Sequence, residues 1–139
     1  MSKANAQKRK ERIPSDSEWL VMEVLWDSKK PLSSAEIIRQ LSERAEMTPR
    51  MVRVLLNRLC QKELVTYVID EKDARVYHYS FIKGREECRK EKGKQFVECY
   101  FAGNQTGAIA SLMQGMAFTK EQMRELEEIL EKNKQKGEV

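Results

Sequence analysis

The stretch TPRMVRVLLNRLCQK, residues 48–62, constrains this chain more than any other, because it fixes one helix and both of its faces. Thr48 supplies a side-chain acceptor ahead of the first turn. Pro49 follows at the first helical position, where its missing N–H costs nothing, so a helix is predicted from Pro49 onward. Val52, Leu55, Leu56 and Leu59 recur at i, i+3, i+4 and i+7 and must face a core. The opposite side brings up Arg50, Arg53, Val54, Asn57 and Gln61, with Arg58 near the edge. Between Thr48 and Lys62 there are four positive charges and no negative one. Forked guanidinium donors, an amide and a small apolar side chain are the types that read guanine, adenine and thymine edges in a major groove. Arg50, Arg53, Val54 and Asn57 are therefore the candidate base-reading residues.

The flanking segments give this helix a context. SDSEWLVMEVLWDSKK carries Ser15 and Asp16 as cap candidates and Trp19, Met22, Leu25 and Trp26 at helical spacing, which predicts a first helix. After Pro31, Ser33 and Glu36 form a capping box ahead of the stripe Ile37, Ile38 and Leu41, which predicts a second. Beyond the basic helix, LVTYVI and RVYHYSF are rich in β-branched and aromatic residues, and DEKDA between them carries turn-forming aspartates, so a hairpin is expected. Three short helices followed by a two-stranded hairpin make a winged helix-turn-helix, assigned to residues 13–83. Thr48, Gln61, Lys72 and Arg75 are then the candidate phosphate contacts. Asp70, Glu71 and Asp73 in the wing oppose phosphate, leaving Lys72 and Arg75 as the cations near its tip.

Charge and composition limit the other possibilities. In 139 residues, 40% hydrophobic and 35% charged, there is room for one small domain and an appendage. The net charge of +4 lies entirely in residues 1–12, a basic flexible arm with five cations and one acid; from Ile13 onward the two signs cancel at 21 each. No apolar run approaches the roughly 20 residues of a membrane span, so a cytoplasmic protein without membrane contact is expected. Cys60, Cys88 and Cys99 form neither an even disulfide framework nor a C-x-x-C pair. His78 is the single histidine and has no second candidate ligand nearby. With no paired His or Cys constellation and no Gly-rich phosphate loop, neither an enzyme nor a metal or other cofactor is expected.

The rest of the chain, residues 84–134, reads as a helical dimerisation domain ahead of a flexible tail, 135–139. GREECRKEKGKQ is almost wholly charged and suits an exposed helix or hinge that buries little. Phe96, Val97, Tyr100 and Phe101 then resume helical spacing, followed by Ile109, Leu112, Met113 and Met116, and by Met123, Leu126, Ile129 and Leu130 behind a Thr119–Gln122 capping box. Three short amphipathic pieces with so few apolar residues cannot close a core alone, which predicts packing against a second copy. A two-fold dimer would set two reading helices about 34 Å apart on one face of a duplex. The fold class is thus mainly α with a small β-hairpin, a winged helix-turn-helix domain followed by a helical dimerisation domain.

The order SDSEWLVMEVLW, SSAEIIRQL, TPRMVRVLLNRL and RVYHYSF, with a tail ending FTKEQMRELEEIL, resembles the BlaI/MecI/CopY family of bacterial repressors over about residues 13–131. The resemblance implies a homodimer that represses transcription by binding a palindromic double-stranded DNA operator. Copper-responsive members carry a cysteine cluster near the carboxyl terminus, whereas this chain has no cysteine after Cys99. β-Lactam-responsive members are inactivated by proteolysis at an asparagine–phenylalanine bond; gapless alignment of the tails puts Ser111–Leu112 there, so the bond type is not retained, and the inactivating protease that the resemblance implies as a further partner would need a different specificity. A second reading follows from the acidic wing and the balanced charge after residue 12: a winged-helix protein–protein adaptor without sequence-specific DNA binding.

Overall fold

A computed structural model describes residues 12–137; the arm of residues 1–11 and residues 138–139 lie outside the described part. The described residues form six helices and three strands: α1 (Asp16–Asp27), β1 (Leu32–Ser33), α2 (Ser34–Ser42), α3 (Pro49–Gln61), β2 (Val65–Ile69), β3 (Tyr77–Phe81), α4 (Arg85–Phe101), α5 (Gln105–Gln114) and α6 (Lys120–Gly137). Contacts divide the chain into two compact units, the first up to Lys94 and the second from Gln95, with the boundary inside α4. None of the described helices is long and apolar enough to cross a membrane.

The first three helices start where their caps predict. Ser15 Oγ accepts from the Glu18 amide at 3.3 Å while Glu18 Oε1 accepts from the Ser15 amide at 3.0 Å, and Ser33 with Glu36 repeats the arrangement at 3.2 Å each way. Thr48 Oγ1 accepts from the Met51 amide at 3.1 Å, with Pro49 opening α3. These side chains satisfy N–H groups that a helix start otherwise leaves unpaired. The end of α3 is also specified: the Glu63 amide donates to Cys60 O at 3.1 Å and the Leu64 amide to Leu59 O at 3.0 Å. This pairing makes a Schellman turn with Glu63 in the left-handed region at φ 61 and buried Leu59 and Leu64 at its ends. The turn reverses the chain into β2.

Val52, Leu55, Leu56 and Leu59 of α3 are buried, as their spacing predicts, against Ile37 and Leu41 of α2 and the apolar side of α1. On α1 the buried set is wider than the expected stripe. Met22 and Leu25 are buried, but so are Val21 and Val24, whereas Trp19 and Trp26 are only half-buried. The two indoles meet edge to face at 5.2 Å, and Trp26 Nε1 donates to Lys83 O at 2.9 Å. This geometry suits rings too large for a small core, with a polar atom that needs a partner.

The expected two-stranded hairpin is a three-stranded antiparallel sheet in the order β1-β3-β2. The extra strand has only two residues, with Leu32 opposite Tyr79 and Ser33 opposite His78. It joins the sheet because Leu32 must be buried just before Ser33 caps α2. Within the hairpin Val65 faces Phe81, Tyr67 faces Tyr79 and Ile69 faces Tyr77.

The charged stretch after Gly84 is helical and buries more than expected. Cys88 is fully buried, and Arg85 Nη2 donates to Glu23 at 2.7 Å and Asp27 at 2.6 Å while lying 5.5 Å from the Trp26 ring. The Arg85 guanidinium holds the Asp27 carboxyl below its usual range. In the second unit, Thr119 and Gln122 form the expected capping box at 2.9 and 3.1 Å, and α6 runs on through residues 135–137. Gly103, at φ 82, turns the chain between α4 and α5.

Candidate nucleic-acid interface

The exposed side of α3 forms one wall of a groove whose other wall is the wing. Arg50, Arg53, Val54, Asn57 and Cys60 line the α3 side; Tyr67, Ala74, Arg75, Tyr77 and Tyr79 line the wing side, and Ser34 at the start of α2 closes one part. The four residues expected to read bases thus come together on one open surface. Of the expected phosphate contacts, only Arg75 lines this groove. Thr48, Gln61 and Lys72 are exposed outside it. The Thr48 hydroxyl accepts the α3 capping bond and keeps its O–H free to donate.

Among the described residues Arg50, Arg53 and Arg58 take part in no ion pair, so α3 presents three uncompensated guanidinium groups. The fourth cation belongs elsewhere. Lys62 at the end of α3 does not join the reading face: its Nζ sits 2.6 Å from Glu18 Oε1, whose side chain is 3% exposed. Glu18 thereby serves two purposes, completing the Ser15 capping box and holding the carboxyl end of α3. A buried carboxylate needs such pairing, because desolvation without a partner is very costly.

The wing is built by its own acids. Asp70 Oδ2 accepts from the Lys72 and Asp73 amides at 3.0 Å each, and Asp70 Oδ1 lies 3.0 Å from His78 Nε2. The His78 contact and these amides hold the Asp70 carboxyl below its usual range. Asp73 Oδ1 accepts from the Arg75 amide at 3.0 Å and from Arg75 Nε at 3.1 Å, and Arg75 lowers the Asp73 carboxyl in turn. The aspartates are thus the turn builders that the sequence predicts, besides being charges that oppose phosphate, as short carboxylates two or three residues from an amide commonly are. Arg75 remains exposed, but its charge is largely matched by Asp73.

Among the groove-lining residues that sequence reasoning missed are the tyrosines 67, 77 and 79. Strand alternation carries the signal, since odd-numbered positions of a hairpin in this register share a face. Burial pushes the Tyr79 hydroxyl and the neighbouring Cys60 thiol above their usual pKa ranges, which keeps both neutral. Among the described residues no group of three or more His, Cys, Asp or Glu side chains is arranged to hold a metal ion.

The family model described as penicillinase repressor matches residues 14–132, nearly the whole described chain. The chain belongs to the penicillinase repressor family. The resemblance seen in the motifs is borne out over both units. A penicillinase repressor of Bacillus licheniformis is 26% identical over 125 residues, covering 88% of this chain and 94% of that one. The methicillin resistance regulatory protein MecI of Staphylococcus aureus strain N315 is 24% identical over 118 residues, covering 85% and 93%. Among solved structures, the DNA-binding domain of the repressor BlaI aligns with a TM-score of 0.46 at 28% identity, covering 54% of this chain and 89% of that domain.

Proposed function

We propose that this member of the penicillinase repressor family is a dimeric transcriptional repressor that binds a palindromic DNA operator in the cytoplasm. Residues 13–83 hold the DNA and residues 84–134 hold the second copy. The observation that carries this reading is the acid-free side of α3, whose unpaired Arg50 and Arg53 line an open groove in a chain of this family. Arg50, Arg53, Val54 and Asn57 read base edges in the major groove, and Thr48, Gln61, Lys72 and Arg75 contact phosphates. The acidic wing, which favoured an adaptor, is accounted for by its turn hydrogen bonds.

Dimerisation rests on a second observation. From Gln95 onward Ala108 is the sole buried residue among those described, while Tyr100 is 75% exposed and Leu130 65%. Such faces need a partner, and a second copy supplies a self-complementary one. The same faces offer a means of release. Ser111 and Leu112 lie in α5, a short helix with little buried surface in the single chain, so dissociation with local opening would present their bond to an inactivating protease.

Fluorescence anisotropy against palindromic and scrambled duplexes of one length tests the central claim. Saturation at two chains per palindrome is expected. Arg53→Ala is expected to weaken palindrome binding by about 1–3 kcal/mol and to relax the preference at one base position. Equal losses on both duplexes would remove Arg53 from base reading.

A further inference from the structure

The groove between α3 and the wing has a second chemical character that its arginines do not explain. Tyr67 on β2 and Tyr77 and Tyr79 on β3 share one face of the sheet, the face on which Leu32 and Val65 are buried. Tyr79 packs against that core. Tyr67 and Tyr77 lie nearer the wing tip, with rings stacked at 4.6 Å and 9° between planes, and Tyr67 is 44% exposed. None of the three phenol hydroxyls hydrogen-bonds to another described residue. An aromatic shelf with free donors therefore lines a groove opposite two unpaired arginines, Arg50 and Arg53.

The wing's electrostatics bear on what that shelf can hold. Asp73 already matches Arg75, and Asp70 and Glu71 outweigh Lys72, so the wing has no net positive charge with which to grip an anion. Lys72 and Arg75 meet phosphate there as cations already offset by neighbouring acids, so the remaining hold on a polyanion falls to neutral donors and ring surface. With α3 seated in a major groove and the hairpin beside it, the space between them is where the strand separating the two DNA grooves passes.

We propose that the Tyr67–Tyr77 stack is the seat for one sugar–phosphate strand of duplex DNA, with deoxyribose against the rings and phosphate oxygens accepting from the phenol hydroxyls. The seat supplies affinity without reading sequence and without releasing counterions, because no charge is neutralised. It divides the labour of binding: arginines of α3 choose the site and carry the salt dependence, and tyrosines of the wing hold the strand. This assignment rests on the DNA-binding function proposed above.

The test uses the full chain and anisotropy with a palindromic and a scrambled duplex over a salt series. The double variant Tyr67→Phe/Tyr77→Phe keeps the stack and removes both donors. It is expected to lose about tenfold on both duplexes, as for hydrogen bonds to charged groups, with an unchanged slope of log Kd against log salt. Tyr67→Ala, checked for folding by circular dichroism, is expected to lose more than Tyr67→Phe. Binding by the double variant equal to wild type, a loss confined to the palindrome, or a shallower salt slope would each overturn the seat. If the wild-type chain binds no duplex, it is the DNA-binding reading itself that fails.

Discussion

The two units of this chain follow the same helical periodicity to opposite ends. In the first, Val52, Leu55, Leu56 and Leu59 recur on one side of α3 and are each at most 3% exposed. In the second, Ile109, Leu112 and Met113 recur on α5 and Met123, Ile129 and Leu130 on α6, and each of these is at least 44% exposed in the single chain. A repeating apolar stripe says that a face is to be covered; it does not say by what. The difference lies in how many elements converge. In the first unit α1, α2, α3 and the sheet meet around one cluster, whereas the second offers α5, α6 and the end of α4, with Ala108 the one buried residue among those described.

The contrast can be attacked from its weaker side first. Replacing Leu112 and Leu130 by Glu places four carboxylates per dimer in the proposed interface. At about 1.5–3 kcal/mol for each buried leucine lost, sedimentation velocity is expected to show monomer at micromolar concentration, with the circular dichroism of the first unit retained. A persistent dimer would mean that other surfaces join the copies. The next largest effect belongs to the self-contained unit. Glu18→Ala leaves Lys62 without its partner and is expected to cost about 3 kcal/mol in urea unfolding, at the low end for buried pairs because Lys62 keeps some solvent. The loss should not vary with protein concentration; if it does, the first unit is not independent of association.

Smaller effects sharpen the picture. Glu63→Gly relieves the left-handed backbone at the end of α3 and is expected to stabilise the first unit by about 1 kcal/mol, read as a higher urea midpoint. No gain would mean that the Glu63 pair with Arg12, both exposed, matters more than such pairs usually do. Burial pushes the Cys88 thiol up to about 11. Because the folded state favours the neutral thiol, its contribution is complete below pH 9.0, the ordinary value, and is lost as pH rises through about 11. Thiol titration at pH 8 should accordingly find exposed Cys99 fast and Cys88 slow. Equal rates would show that the start of α4 opens readily.

Local signals made the first unit legible. Ser15, Ser33 and Thr48 are caps whose chemistry acts within three residues, and α3 has an unbroken period, so its start and both faces could be read directly. What escaped depends on distant partners. β1 has two residues and exists only because β3 lies beside it. Lys62 reads as one more cation of α3 until Glu18, distant in sequence, comes into view. The wing aspartates read as turn formers from the sequence, but the contact of Asp70 with His78 needs the folded hairpin. The tyrosine shelf requires the hairpin register, which alternation alone leaves open by one residue.

The wing's internal hydrogen bonds have a thermodynamic consequence. With Asp70 holding two amides and His78, and Asp73 holding Arg75 at both its amide and its guanidinium, the hairpin tip takes its shape during folding. Loops that become ordered only on contact subtract that ordering entropy from their affinity, and those already ordered do not. A wing of little net charge can then be an effective contact, because its conformation is settled before any partner arrives.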